Sequence, residues 1–251
     1  SQPLELNAEQ AAALQEVVGA MERLAKSAEG ETKPKANGLF LLHGVTGSGK
    51  TEVYLQAIAH VLGQGKGAIV LVPEISLTPQ TVERFKARFS QGPQQTLVAG
   101  LHSHLSAGER HDEWHKIRQG RARIVIGARS AVFAPVEQLG LVIVDEEHEL
   151  SYKQEEAPRY NARDLAVVRG QQEGAAVVLG SATPCMESYH NVQHKKYGLL
   201  SLTERVDNIQ MPLVRVIDMR SAARSEKGIN IFSPQLREAI LQRLEKNEQV
   251  M

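Results

Sequence analysis

The chain of 251 residues has a single cysteine, Cys185, few aromatic residues and no long hydrophobic run. One cysteine excludes an intrachain disulfide and a cysteine-rich zinc site. Without a long apolar run or a signal-peptide pattern, we expect no membrane partner and a cytoplasmic location. The 29 basic and 29 acidic residues balance, so the chain as a whole does not attract nucleic acid. A nucleic-acid partner therefore requires a local basic face.

Short apolar runs alternate with helical patterns along the chain. The predicted strands are 39–43, 68–73, 123–126, 140–145, 176–180 and 214–218. The predicted helices are 8–26, 52–62, 79–89, 107–119, 161–173 and 234–247. Continuous Val, Ile and Leu strands separated by helices are typical of a parallel sheet covered on both faces. The pattern predicts an α/β fold with a mostly parallel sheet.

A glycine-rich loop follows the first predicted strand and precedes a predicted helix. It runs Gly44-Val45-Thr46-Gly47-Ser48-Gly49-Lys50-Thr51. In this context the glycines let successive N–H groups converge on phosphate oxygens, and the helix N-terminus adds partial positive charge. Lys50 can reach the β- and γ-phosphates, and the Thr51 hydroxyl can coordinate Mg²⁺. The loop predicts nucleoside triphosphate binding; a glycine-rich turn that merely joins strand to helix is the alternative.

An acidic motif follows the strand predicted at 140–145. Four apolar residues form a buried strand that places Asp145 at the carboxyl edge of the sheet, beside the phosphate loop. There Asp145 can hold the hydration shell of Mg²⁺, and Glu146 can orient or deprotonate the attacking water. A strand that ends in a solvated acidic turn is the alternative. With Lys50, the two carboxylates are the predicted catalytic residues, and they predict Mg²⁺-dependent hydrolysis.

Five motifs in this order resemble those of the superfamily 2 nucleic-acid helicases. They occupy residues 44–51, 73–80, 127–135, 145–148 and 180–184. The residues of these motifs are similar to those of the primosomal helicases of replication restart. Examples are Gly-Val-Thr-Gly-Ser-Gly-Lys-Thr-Glu-Val-Tyr and Val-Pro-Glu-Ile-Ser-Leu-Thr-Pro-Gln. The resemblance covers essentially the whole chain. It implies a RecA-like phosphate-loop fold and a bacterial 3′→5′ DNA helicase that remodels abandoned forks and initiates primosome assembly.

The resemblance also implies cofactors, partners and coupling residues. ATP and Mg²⁺ are the expected cofactors, with zinc only in a longer parent protein, outside this chain. The expected partners are single-stranded and forked DNA and, through the parent protein, single-strand-binding protein and other primosome proteins. His148, Ser181 and Thr183 are expected to couple the ATP site to DNA.

DNA contacts are predicted for Thr78, Arg129, Ser130, Tyr152, Lys153, Arg159, Tyr160 and Arg163. The helix that begins after Thr78 points unpaired N–H groups outward, which suits a DNA phosphate. Arg129 follows a buried strand and is expected at the sheet edge, where an ordinary surface salt bridge is the alternative. Tyrosines interleaved with basic residues can stack bases and hold phosphates. A tyrosine-containing surface loop is the alternative for that stretch.

Gln10 has two compatible predicted roles. The resemblance implies that it reads the adenine ring, which favours ATP over GTP. Its spacing from Asn7 also fits a helix-capping arrangement.

The chain is expected to have three parts. Residues 1–38 comprise the first helix and a polar linker at 29–38, residues 39–205 form the ATPase lobe, and residues 206–251 extend toward a second lobe. Both ends look cut, so we expect a fragment of a longer protein.

Little activity is expected from this chain alone. Hydrolysis in superfamily 2 usually needs arginines from a second lobe, and no such motif is recognisable after residue 200. We expect weak nucleotide binding, very slow hydrolysis and no unwinding. The alternatives are a non-translocating DNA-dependent ATPase switch and an inert nucleotide- or DNA-binding module.

Overall fold

The computed structural model describes residues 2–28, 38–90, 95–103, 105–206, 214–222 and 231–250. The chain divides into two compact units, Ser1–Asn208 and Ile209–Met251. The linker predicted at 29–38 lies outside the described residues except for Gly38.

The first unit contains the strands. They are β1 (Leu39–Gly44), β2 (Gly67–Leu71), β3 (Leu97–Leu101), β4 (Ala122–Gly127), β5 (Leu139–Val144), β6 (Lys153–Gln154), β7 (Tyr160–Asn161), β8 (Ala176–Ser181) and β9 (Gly198–Leu202). Seven of them form one sheet in the order β3-β4-β2-β5-β8-β1-β9, and every neighbouring pair is parallel. Strands β6 and β7 form a separate antiparallel hairpin.

Helices α1 to α6 belong to the same unit. They are α1 (Ala8–Ala28), α2 (Lys50–Gly63), α3 (Pro79–Phe89), α4 (Ala107–Arg118), α5 (Ala162–Glu173) and α6 (Met186–Gln193). Single 3₁₀ turns lie at Glu74–Ser76, Arg129–Phe133 and Leu150–Tyr152. The second unit contains α7 (Met219–Ala222) and α8 (Pro234–Glu245).

Apolar strand residues are buried on both faces of the sheet. In β1, Phe40 and Leu42 pack on the face that carries α1 and α2, whereas Leu39 and Leu41 pack on the opposite face. The opposite face is covered by residues of α4 and α5, such as Ile117. Strands buried on both sides need continuous apolar runs rather than alternation. The predicted α/β fold with a parallel sheet and helices on both faces is confirmed.

Five predicted strands are observed within two residues of their predicted ends. The strand predicted at 214–218 is wrong, because these residues form no strand and Val214 and Val216 are exposed. Strands β3 and β9 were not predicted from sequence. They are the two edges of the sheet, where one face of each strand needs fewer apolar residues, so Leu97 and Leu199 are half exposed.

The strand order brings the carboxyl ends of β5, β8 and β1 side by side. Residues that follow these strands therefore share one edge of the sheet, although they are far apart in sequence. Helix α1 packs into the same core as α2. The three-part division of the chain stays a prediction.

Candidate nucleotide and metal site

The phosphate loop joins β1 to α2 and needs glycine at two positions. Gly47 has φ 80° and Gly49 has φ 78°, a left-handed conformation that side chains disfavour. A Cβ at Gly49 would also overlap the Gln10 amide. The Lys50 ammonium donates to the Gly44 carbonyl oxygen at 2.8 Å. The loop is thus held in a tight curl with its lysine folded over it.

Gln10 lies against this loop and is almost fully buried. Its Nε2 donates to the Ser48 carbonyl oxygen at 2.8 Å. Its Oε1 accepts from the Asn7 N–H at 2.9 Å, and its own N–H donates to Asn7 Oδ1 at 2.9 Å. This reciprocal pair is the capping arrangement expected from the spacing. Adenine recognition by Gln10 stays a prediction.

Asp145, Glu146 and Lys50 line one cleft of about 460 Å³ together with the phosphate loop. Glu146 Oε1 is 4.0 Å from Lys50 Nζ. Glu146 has φ 46°, an uncommon conformation for a residue with a side chain, and such strain is often found at functional sites. The three residues predicted to be catalytic are therefore brought together.

The surroundings of Asp145 act on its carboxyl group in opposite directions. Burial raises its pKa above the ordinary value, and the negative charge of Glu146 raises it further. A hydrogen bond from the Tyr54 hydroxyl to Oδ1, at 3.0 Å, and the charge of Lys50 lower it. The net direction is upward, so the cleft favours a bound cation that would compensate the negative charge.

The residues in this cleft fit a magnesium–phosphate group. Thr51 and Asp145 both line it, and one carboxylate, one hydroxyl and substrate phosphates form the kind of ligand set that Mg²⁺ accepts. In addition, the buried Ser48 hydroxyl in the loop has no hydrogen-bond partner among the described residues. A buried polar atom of this kind is usually satisfied by a ligand or water.

The predicted coupling residues form a chain from the acidic motif to the end of β8. His148 Nδ1 lies 2.8 Å from Ser181 Oγ, and His148 Nε2 lies 3.4 Å from Thr183 Oγ1. The Thr183 N–H donates to Ser181 Oγ at 2.9 Å. His148 Nδ1 is also 3.7 Å from Glu146 Oε2. One imidazole therefore contacts both the acidic motif and the motif after β8.

Sequence reasoning missed the segment that follows β9. The Val45 N–H donates to the Leu202 carbonyl at 3.2 Å, and the Val206 N–H donates to the Gly47 carbonyl at 3.0 Å. Glu9 anchors the same segment, and hydrogen bonds from Thr203 lower the pKa of the Glu9 carboxyl. Val206 thereby becomes part of the cleft wall.

A second missed feature is the buried carboxylate of Glu147. Its Oε1 accepts from the Cys185 N–H at 2.8 Å, and its Oε2 accepts from the Ser188 hydroxyl at 2.8 Å. Arg163 Nη1 is 3.4 Å from Oε2. Glu147 thus joins the acidic motif to α5 and α6. The sequence signal was a third acidic residue directly after a buried strand.

Two residues predicted to contact DNA have other surroundings. Tyr152 is only 1% exposed, and its hydroxyl donates to the Asp145 carbonyl oxygen at 2.6 Å. Its prediction as a base-stacking residue is wrong, because the 3₁₀ turn at Leu150–Tyr152 directs the ring into the core. The Arg163 side chain is 12% exposed and lies between Glu147 and Asp164. Its charge is engaged within the protein rather than presented to a phosphate.

The other predicted DNA residues are at the surface. Thr78 caps α3 and is exposed. Lys153 and Arg159 lie on or beside the hairpin and are exposed. Arg129 Nη1 donates to the Lys153 carbonyl oxygen at 2.8 Å, so it binds the hairpin main chain. It forms no side-chain salt bridge with any residue that the structure describes.

A cleft of about 250 Å³ contains Arg129, Ser130 and Tyr160. The Tyr160 ring packs edge-on against Phe133, with ring centroids 5.2 Å apart. Phe133 is half exposed and was missed in the sequence, although it follows Arg129 in the same motif. The two rings form a partly exposed aromatic pair beside a basic side chain.

The parallel sheet and the phosphate loop define a nucleotide-binding protein of the phosphate-loop class. The family model of the DEAD/DEAH box helicases matches residues 9–192. The chain therefore belongs to the DEAD/DEAH box helicase family. Membership implies nucleotide binding. Among the described residues, no helix is long and apolar enough to cross a membrane.

The chain is similar to several curated proteins. It is 55% identical over 213 residues to Replication restart protein PriA of Bacillus subtilis (strain 168), covering 85% of this chain and 26% of that protein. It is 48% identical over 212 residues to Replication restart protein PriA of Chlamydia pneumoniae, covering 84% and 28%. The chain spans about a quarter of the length of these relatives.

Two solved structures have the same fold. The structure of RecG bound to a three-way DNA junction matches with a TM-score of 0.57 and 24% identity, over 86% of this chain and 25% of that one. The UvsW helicase from bacteriophage T4 matches with a TM-score of 0.51 and 15% identity, over 80% and 61%.

Proposed function

We propose that the chain is the first, ATP-binding lobe of a 3′→5′ DNA helicase of bacteria. In this proposal the whole protein remodels stalled or abandoned replication forks and initiates primosome assembly. The observation that supports it most is the convergence of Lys50, Asp145 and Glu146 in one cleft. The identity to two proteins named for replication restart supports the biological role.

In the proposed ATP site, the phosphate loop and Lys50 bind the β- and γ-phosphates. Thr51 and Asp145 hold Mg²⁺, which when bound neutralises charge on the phosphate oxygens. Glu146 orients the attacking water or accepts its proton. Gln10 is proposed to recognise adenine, since it is placed at the loop by its bond to Ser48.

DNA is proposed to run past the exposed hairpin and the start of α3. The Thr78 cap offers N–H groups to a phosphate. Lys153 and Arg159 supply exposed positive charge, and Tyr160 supplies a ring for base stacking. His148, through Ser181 and Thr183, is proposed to transmit the state of the ATP site toward the motif after β8.

A second lobe is proposed to complete the ATPase. Arginines from such a lobe stabilise charge at the γ-phosphate and can contribute about three or more orders of magnitude in rate. Single-strand-binding protein and other primosome proteins are proposed partners of the whole protein, which we place in the cytoplasm. Any zinc is proposed to lie outside this chain.

The test measures ATP hydrolysis by the longer protein that carries this lobe, with and without forked DNA. Wild type is expected to show DNA-stimulated hydrolysis and directional unwinding, and Lys50→Ala is expected to lose both. Stimulation that survives Lys50→Ala would refute the assignment of the site. Stimulated hydrolysis without unwinding would instead support a non-translocating ATPase switch.

A further inference from the structure

Tyr54 is a buried residue that the proposed chemistry does not use. It lies four residues after Lys50 in α2, so the two side chains share a face of the helix. The residue is 2% exposed. A buried tyrosine hydroxyl usually has a hydrogen-bond partner, and here the partner is Asp145 Oδ1 at 3.0 Å. The helix that carries the phosphate-binding lysine thereby also contacts the acidic motif.

The space around the Tyr54 hydroxyl depends on Gly180, the first residue of the motif at residues 180–184. A Cβ added at Gly180 in β8 would overlap the Tyr54 hydroxyl and would lie 3.4 Å from Asp145 Oδ1. Gly180 is not among the residues with a positive φ. Its small size, rather than its backbone conformation, is therefore what this position requires.

The main chain of Asp145 is held by groups other than Tyr54. The Asp145 N–H donates to the Leu71 carbonyl at 2.9 Å. The Tyr152 hydroxyl donates to the Asp145 carbonyl oxygen at 2.6 Å. Two tyrosines thus contact one aspartate, but Tyr152 fixes its backbone whereas Tyr54 reaches its carboxylate. The two contacts can be separated by substitution.

We propose that Tyr54 is a positioning residue for the metal-binding carboxylate of Asp145, and that Gly180 preserves the space for its hydroxyl. This inference rests on the proposed function, because it takes Asp145 to be a metal ligand. The hydroxyl restrains the rotation of the carboxylate and satisfies one of its oxygen atoms in a buried setting. Groups that orient a metal ligand in this way typically contribute about 10- to 100-fold to metal affinity.

The experiment uses the 251-residue chain and a fluorescent ATP analogue, with affinity measured in EDTA and across a Mg²⁺ titration. For Tyr54→Phe we expect the Mg²⁺ concentration at half-maximal binding to rise about 10-fold. The affinity in EDTA should stay within about twofold of wild type. If Tyr54 serves only in core packing, Tyr54→Phe will change the affinity in EDTA and in Mg²⁺ equally, or will change neither. Either result would overturn the proposal.

Tyr152→Phe is the matched control, since it removes the same atom from a tyrosine that contacts the same residue. It should lower the melting temperature without displacing the Mg²⁺ titration. In an Asp145→Asn background, Tyr54→Phe should have no further effect on the Mg²⁺ dependence, because coupled residues are not additive. Full additivity would contradict action through Asp145.

Gly180→Ala approaches the same contact from the other side and keeps the tyrosine. It should also raise the Mg²⁺ requirement; a titration that superimposes on wild type would count against the proposed role of Gly180. The wild-type measurement distinguishes failure of the proposed function from failure of the proposed role of Tyr54. If wild type shows no Mg²⁺-dependent binding, the proposed function itself fails. If wild type responds to Mg²⁺ and Tyr54→Phe matches it, only the role of Tyr54 is refuted.

Discussion

Two regions at the same sheet edge differ in how their polar side chains are held. In and beside the nucleotide cleft after β1, β5 and β8, Lys50, Asp145 and His148 each have hydrogen-bond partners within the protein. On the hairpin side, Lys153 is exposed and Tyr160 rests against the half-exposed Phe133. The first region is preorganised by the fold, whereas the second presents side chains outward.

The contrast fits the two proposed ligands. Phosphate and Mg²⁺ need donors and acceptors at fixed distances, so rigid placement helps binding. A DNA backbone of any sequence needs charge and ring surface more than fixed geometry. Glu147 connects the two regions, because its buried carboxylate contacts Arg163 at the start of α5.

The largest effect is expected where the two regions are joined. Glu147→Ala removes a carboxylate whose side chain is 0% exposed and leaves Arg163 without that partner. It also removes the acceptor of the Cys185 N–H and the Ser188 hydroxyl. A buried donor left without an acceptor costs about 1–3 kcal/mol, so the free energy of unfolding in urea should fall by about 3–5 kcal/mol. The matched control is Glu155→Ala in the exposed hairpin turn, which should change it by less than about 0.5 kcal/mol. If both variants lose the same free energy of unfolding, Glu147 is not a specific structural link between the two regions.

The nucleotide side is tested by Lys50→Ala. Losing the charged donor to phosphate should lower the affinity for Mg²⁺–ATP by about 100-fold, as expected for a strong hydrogen bond to a charged group. Lys153→Ala is the control, since this lysine lies in the hairpin. The ATP affinity of the Lys153→Ala variant, measured with the same fluorescent analogue, should match that of wild type. An unchanged affinity in Lys50→Ala would remove the basis for the phosphate-loop assignment.

The hairpin side is tested by Tyr160, with Tyr152 of the preceding 3₁₀ turn as the comparison. Tyr160→Ala should weaken binding of a labelled single-stranded oligonucleotide by about 10-fold, since one stacked base contributes about 1–3 kcal/mol. Tyr152→Phe should leave DNA affinity unchanged and lower the free energy of unfolding by about 1–2 kcal/mol, through the lost bond to Asp145. Fluorescence anisotropy and urea denaturation measure the two quantities. Unchanged DNA affinity in Tyr160→Ala would refute the stacking role of Tyr160.

The smallest effect is a pH dependence of stability in metal-free buffer. Burial and the charge of Glu146 raise the pKa of Asp145 in the folded state. The folded protein therefore binds a proton more readily than the unfolded chain, and stability is lost as pH rises through this raised pKa. Asp145→Asn removes the loss of stability that ionisation of this carboxyl group causes.

The variant should melt slightly higher than wild type at pH 7, and the difference should disappear below the ordinary aspartate value of 3.8. Melting temperatures in EDTA without nucleotide measure it. A variant that melts lower at every pH would contradict the direction assigned to this carboxyl group.

The parts of the fold and site that could be predicted from the sequence depend on local main-chain geometry. The phosphate loop, Asp145 and the start of α3 follow from glycines, buried strands and caps, which are local features. The partners of Tyr54 and Glu147 were not predictable, because Asp145 is 91 residues from Tyr54 and Ser188 is 41 residues from Glu147. Tyr152 was assigned to the wrong side, since alternating tyrosines and basic residues do not reveal which ring a short turn directs inward.

The strand order has a consequence for the synthesis of the protein. Strand β1 leaves the ribosome before its neighbours in the sheet, β8 and β9, and Phe40 lies opposite Gly198. Contacts so distant in sequence form late and slowly. A nascent chain that ends before Leu202 already carries the whole phosphate loop, yet lacks the carbonyl that Val45 needs. Because a ligand stabilises only the state that binds it, nucleotide favours lobes whose translation has passed β9.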